Sequence, residues 1–210
     1  MINKDQLTDL YSRGTYPFSA AELAHLPLSD AIKTFLVTNG LPESRGTGDF
    51  DNVLGIHFVT DVQQITPITI EGATYWKIAD EWEENQLIIA VKEGTEEVYD
   101  IDLEEQRVQF VNSDLFAFLL LLNYFKQYSL RKDKFSAPPP KPMSRAEAMK
   151  QIELMKQAKL PPAPEPKERF DYKKEARAMK AFMKETDAVA LKKDDYWWST
   201  ILEQVEDDII

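Results

Sequence analysis

Residues 79–85 read Ala-Asp-Glu-Trp-Glu-Glu-Asn, so four carboxylates flank one tryptophan within a few positions. Two carboxyl groups held across a scissile bond can hydrolyse a glycoside, one as acid and the other as base or nucleophile. A chain with 36 acidic residues offers such pairs by chance, however, and a solvated acidic turn satisfies the same spacing. A third reading is a negatively charged rim for a protein partner. Trp82 and Tyr99 would be its anchors among Asp80, Glu81, Glu83, Glu84, Glu96 and Glu97, because aromatic side chains dominate interface hot spots.

Other chemistries are poorly served. The two histidines, His25 and His57, lie far apart in sequence, and the chain has no cysteine. Neither histidine has a partner at metal-ligand spacing, so both read as structural. No Gly-x-Ser-x-Gly elbow occurs, and a Cys–His pair cannot form. The stretch "RGTGDFDN" places Gly46 and Gly48 in a turn but lacks the Lys-Ser/Thr of a phosphate loop and the spacing of a dinucleotide fingerprint. No catalytic residue, metal or cofactor is expected.

Charge narrows the partners. Net charge is −11, unevenly spread: Glu71 to Glu105 holds 12 acids against 2 bases, whereas Ser136 to Lys193 holds 14 bases against 8 acids. The first half repels phosphate backbones, so direct nucleic-acid binding is a poor fit. A basic protein is a better partner, since complementary fields speed encounter. In the second half Lys and Glu are interspersed, the pattern of a solvated helix face. The N-terminus has no apolar core of a signal peptide, and the run Leu115 to Leu122 is shorter than the roughly 20 residues a bilayer requires. Absence of cysteine suits a reducing compartment, and the expected location is cytoplasmic.

The elements that must position these residues follow from periodicity. "LSDAIKTFLVTNGLPES" predicts a helix capped by Ser29 or Asp30, with Ile32, Phe35 and Leu36 inward and Gly40 as the left-handed residue after its end. "NVLGIHFV", "ITPITIEG", "TYWKIAD", "LIIAV", "EVYDID" and the run before Asn112 predict strands joined by short turns, hence an antiparallel sheet. "EVYDID" sets Val98 and Asp100 against Tyr99 and Ile101, so one of its faces is mixed. "FVNSDLFAFLLLLNYF" predicts a helix capped by Asn112 or Ser113, with Asp114 in its first turn. Leu115, Phe118, Leu119, Leu122 and Phe125 form its main stripe, and Phe116, Leu120 and Leu121 extend the apolar surface nearly all round, as burial on several sides requires. Eight of the 12 prolines fall in Pro138–Pro142 and Pro161–Pro166, which separate two basic helices, the first with a Ser144–Glu147 capping box. Phe170, Met179, Phe182 and Met183 offer the second a docking stripe. A last helix, capped by Asp194 or Asp195, returns Trp198, Ile201, Leu202, Val205 and Ile209 to the core.

Three stretches together resemble the SUKH superfamily, specifically its fourth immunity-protein subgroup. "FLVTNGLPES" resembles that group's helix ending in a Gly-Leu-Pro turn. "EEVYDIDLEEQRVQFVNSDLFAFLLLL" resembles its strand, acidic turn and "FVNSSL" helix entry, with Asp114 where a second serine is usual. "YWWSTILEQVEDDII" resembles its C-terminal tryptophan-containing helix. The resemblance covers roughly residues 28–128 and 196–210. It implies an α+β fold with a twisted, mainly antiparallel sheet packed against helices. The expected organisation is a core over residues 1–135, a proline-linked extension with two basic helices over 136–193, and a docking helix over 194–210. It implies a non-catalytic role, binding and neutralising a bacterial toxin such as a nuclease or deaminase; the 12-to-2 charge count in residues 71–105 is what points to the acidic surface for that binding. A regulatory or scaffold module of the same fold and a small carboxylate hydrolase are the alternatives.

Overall fold

Alternating Val, Ile and aromatic residues with short polar turns produce the predicted sheet. A computed structural model of the chain describes residues 14–43, 53–82, 86–135, 144–145, 149, 152–153 and 170–210. Among these, β1 (Thr15–Tyr16) pairs with β2 (Leu41–Pro42) in a small ribbon. The main sheet contains β3 (Ile56–Phe58), β4 (Pro67–Ile70), β5 (Ala73–Glu81), β6 (Leu87–Lys92), β7 (Val98–Asp102) and β8 (Arg107–Asn112). Its order is β3-β5-β6-β7-β8, with β4 alongside the first half of β5, and every pairing is antiparallel. Gly46, Gly48, Glu83, Glu84, Glu147 and both proline clusters lie outside the described residues, and so does the capping box drawn between Ser144 and Glu147.

Register assigns each strand residue to a face. Glu81, Leu87, Asp102 and Arg107 lie across from one another, as do Ile89, Asp100 and Gln109 in the same alternation. That face carries Ile56, Ile89, Val91, Val98 and Val111, all without solvent exposure. It is covered by helices, because Phe58 meets Phe118 at 6.2 Å and Phe118 meets Trp197 at 6.3 Å, both edge to face. The opposite face gathers Ile70, Tyr75, Ile88, Ala90 and Ile101 in a second cluster. Ile88 to Val91 are all fully buried, as the unbroken apolar run predicted.

Four longer helical segments supply the second layer. The short helix α1 (Ala20–Leu23) precedes α2 (Asp30–Thr38), whose first turn is closed by Ser29 Oγ accepting from Ile32 N at 3.2 Å. Gly40 follows at φ +75°, and a Cβ there would lie 2.2 Å from the Tyr16 carbonyl oxygen, so only glycine permits the ribbon to close. Helix α3 (Leu115–Asp133) buries Leu115, Phe118, Leu119, Leu121, Leu122, Phe125 and Tyr128. Each large apolar side chain of that stripe contributes about 1.5–3 kcal/mol on full burial. Helix α4 (Tyr172–Asp187) buries Ala176, Met179 and Met183 and stacks Phe182 on Tyr124 at 4.5 Å. Helix α5 (Trp197–Glu206) buries Trp197, Trp198, Ile201, Leu202 and Val205, whereas Ile209 lies beyond its end and is exposed. The twisted antiparallel sheet with its helical layer is the α+β class the sequence implies.

Two compact units are distinguished. One comprises residues 1–128 with 172–210 and contains the sheet, and the other comprises residues 129–171. Within the second, the rings of Phe135 and Phe170 meet at 5.4 Å. No helix among the described residues is long and apolar enough to cross a membrane.

Candidate functional site

The described residues among those proposed from sequence separate into two groups at opposite ends of the strands, with Tyr99 between. Asp80, Glu81 and Trp82 stand where β5 ends, level with Leu87 and Asp102. Glu96 and Glu97 occupy the β6–β7 turn at the other end, level with the start of β5. Five residue steps of β6 separate the levels, roughly 17 Å. Glu96 is exposed and lines a shallow pocket of about 290 Å³ with Phe35, Asp114 and Phe116. Glu97 accepts a hydrogen bond from Tyr99 Oη at 2.9 Å. Tyr99 itself sits between Tyr75 and Phe110 at ring distances of 5.3 and 5.7 Å. Burial, then Glu97, raises its phenol well above the usual range. Tyr99 is thus a half-buried rung of an aromatic ladder. Trp82, in contrast, is 62% exposed.

A bulge between Lys77 and Ala79 decides how β5 presents its last carboxylates. It turns Lys77 and Asp80 to one face, where Lys77 Nζ and Asp80 Oδ1 form an ion pair at 2.7 Å. Glu81 consequently points to the helix-covered face. On β7, Asp100 shares the face of Val98 and points the same way. This is the mixed face visible in "EVYDID". The two acids are only 8% and 5% exposed.

Their burial carries a clear electrostatic signature. Glu81 is pushed from 4.5 up to about 8, first by desolvation, then by the negative charge of Asp100 and by a hydrogen bond shared with it. The indole N–H groups of Trp197 and Trp82 hydrogen-bond the Glu81 carboxyl and pull the other way. Asp100 is raised to about 6, again by desolvation first, with the Arg107 guanidinium opposing. The pair therefore shares a proton near neutrality. Among the described residues, Glu81 Oε2 and Asp100 Oδ1 have no hydrogen-bond partner other than that proton. Arg107 does not supply one; its guanidinium contacts Asp102 at 3.9 Å and Glu105 at 3.7 Å.

Both acids line a cavity of about 300 Å³ with Trp82, Arg107, Trp197 and Gln204. Trp82 ends the strand at φ +60°, donates its backbone N–H to the Gly55 carbonyl at 2.8 Å, and lays its ring over Gly55. A Cβ on Gly55, itself at φ +72°, would fall 2.5 Å from that ring. Asp100, Arg107, Trp197 and Gln204 were not singled out from the sequence. The signal that could have found Asp100 was the polar residue in the otherwise apolar alternation of β7. The other three come from β8 and α5, and only tertiary packing brings them there. Among the described residues no cluster of three or more potential metal ligands occurs.

The sequence model of the SUKH-4 immunity protein family matches residues 2–204. The chain belongs to that family. Neither the curated proteins nor the solved structures contain a match.

The stretches that resembled the SUKH-4 subgroup perform structural tasks in this member. Asn112 is still paired in the sheet, opposite Val98, so its side chain faces the interior and cannot cap α3. Its Nδ2 donates to Asp187 Oδ2 at 3.0 Å, and its Oδ1 accepts from Trp198 Nε1 at 2.8 Å. Ser113 donates its backbone N–H and hydroxyl to the Asp187 carboxylate at 2.7 and 2.9 Å. The expectation that Asn112 or Ser113 caps α3 is thereby corrected. The cap is Asp114, whose Oδ1 accepts from Ala117 N at 2.7 Å. Asp194 and Asp195 likewise do not cap α5. Tyr196 takes the cap position in extended backbone, without a side-chain cap bond, and its ring packs on Phe110 at 5.0 Å.

Proposed function

We propose that this protein is a non-catalytic immunity protein that binds and neutralises a bacterial toxin of the nuclease or deaminase kind in the cytoplasm, through the acidic end of its sheet. Membership in an immunity protein family over residues 2–204 is the observation that carries this reading. The placement of Trp82 supports the choice of surface. A largely exposed tryptophan beside two buried, half-satisfied carboxyl groups suits a partner hot spot better than a solvated turn. A basic partner is favoured by the 12 acids against 2 bases in residues 71–105.

The carboxyl pair is also the feature a hydrolase reading would need. The paired acids of glycosidases stand about 5–9.5 Å apart to admit a sugar or a water, whereas Glu81 and Asp100 lie close enough for each to shift the other's proton affinity. That proximity favours binding.

The experiment is capture of toxin domains on the tagged protein at low and moderate salt, followed by protection of cells expressing the captured toxin. The expected result is one basic toxin domain, held tightly, weakened by salt and neutralised. Charge reversal at Asp80, Glu83 and Glu84 should reduce protection, while reversal at Glu96 and Glu97 should not. Undiminished protection after reversal at the Asp80 end would move the binding surface elsewhere.

A further inference from the structure

The cavity between Glu81, Asp100 and Trp82 has a chemical preference of its own. Two carboxyl oxygens, Glu81 Oε2 and Asp100 Oδ1, are buried, and among the described residues they have no partner beyond the proton the two acids share. Leaving buried acceptors unmade is costly, and the penalty is larger for carboxylates than for neutral groups. An aromatic ring stands at the rim. A planar cation with several N–H donors answers all three features, since a guanidinium can donate to two carboxyl oxygens while stacking on an indole. An ammonium would bring donors but no plane to lie on Trp82. The resident cation, Arg107, is half exposed and held by Asp102 and Glu105, so no described cation of the chain is committed to the pair.

We infer that this cavity is a receptor for one arginine side chain presented by the protein partner, with its guanidinium donating to Glu81 and Asp100 and lying against Trp82. The inference rests on the immunity reading only for the identity of the protein that carries the arginine.

Arginine binding must displace the proton the pair holds. Among the described residues, the charged groups facing the pair are Asp102 on β7 and Arg107 on β8, and Ile210 also lines the cavity. From α5 come Trp197, Thr200 and Gln204, which add no charge. Affinity therefore rises with pH, about tenfold per unit below the Glu81 value of about 8, and levels above it. Replacing Arg107 by Gln removes a competing positive charge and tightens binding.

The test uses the full chain, with N-acetyl-arginine amide as probe and N-acetyl-citrulline amide as its neutral counterpart, followed by calorimetry and tryptophan fluorescence. Above about pH 9 the arginine probe is expected to bind saturably, at least tenfold more tightly than the citrulline probe. At about pH 6 it is expected to weaken by on the order of 100-fold. Glu81→Gln and Asp100→Asn should each lose at least tenfold in affinity while keeping the wild-type far-ultraviolet spectrum. Equal binding of the two probes, no saturation up to the solubility limit, or unchanged affinity in folded Glu81→Gln would overturn the inference.

The two readings fail separately. If Glu81→Gln captures and neutralises the toxin as well as wild type does, the arginine receptor falls and immunity stands. If no toxin is captured but the probe binds with the stated pattern, the receptor stands and the immunity reading falls.

Discussion

Asp187 and the Glu81–Asp100 pair are acids buried to a similar depth, at 7%, 8% and 5% exposure, yet they live in opposite circumstances. Asp187 accepts four hydrogen bonds: from Asn112 Nδ2, from Ser113 N and Oγ, and from Val189 N at 3.2 Å. Through Asn112 the network reaches Trp198, so one carboxylate ties the end of β8 to α4, to the turn after it and to α5. Glu81 and Asp100 have mainly each other, the two indoles and the field of Arg107, and an oxygen of each remains without a donor. A fully satisfied buried acid fastens a fold. A half-satisfied pair in a cavity with an exposed tryptophan costs the free protein stability. Burial alone does not distinguish the two; the donor inventory does.

The sharpest way to break the comparison is at the fastener. Asp187→Ala strands three donors of Asn112 and Ser113 and removes the bond to Val189, so it should cost about 3 kcal/mol or more. Urea unfolding would measure it, and a loss below about 1 kcal/mol would show that the network is not a fastener.

The cavity pair should behave in the contrary sense. The folded-state value of Glu81 lies above its ordinary 4.5, so the folded protein holds an extra proton between about pH 4.5 and 8. Stability therefore falls as pH rises through that window and is not regained above it. Glu81→Gln should leave stability near pH 5 almost unchanged and raise it near pH 8 by on the order of 2–4 kcal/mol, flattening the slope. Thermal midpoints across this range would check it. A variant as pH-sensitive as wild type would place the titration elsewhere.

Smaller effects belong to the seam between β8 and α3. Asp114→Ala removes the observed cap and should cost about 1 kcal/mol, whereas a cap at Ser113 would make the change nearly silent.

These assignments show how far the sequence was legible. Alternation and turn residues located the strands from β3 to β8, and the greasy run located α3, because both patterns are local consequences of which face is buried. Its caps were misassigned by one or two residues, since Asn112, Ser113 and Asp114 are all competent in isolation. Only Asp187, 75 positions beyond Asn112, decides which one is left to cap. The site was half legible for the same reason. The cluster at Asp80, Glu81 and Trp82 is contiguous and could be read directly. Glu81 was grouped with surface acids because the bulge at Lys77 that turns it inward has no local signature. Asp100 could be suspected from a polar residue on a buried face, but its meeting with Glu81 depends on register across β6.

Trp82 allows the comparison to be tightened with the smallest expected change in stability. Its backbone lies at φ +60°, a region where side chains other than glycine are strained by about 1–2 kcal/mol, and its ring is largely in solvent. A residue kept there for folding would be expected to recover that strain through burial, and among the described residues Trp82 covers little more than Gly55, while its indole N–H meets Glu81. Trp82→Gly should therefore leave unfolding free energy within about 1 kcal/mol of wild type, because relief of strain offsets the lost contact. Binding should respond differently. Loss of the exposed indole should weaken toxin capture by at least about tenfold, as hot-spot truncations do. Paired measurements on one preparation, urea midpoints and a toxin titration, decide the matter. A large stability loss would make Trp82 a second fastener, whereas stability held with affinity lost would assign the strained tryptophan to the partner.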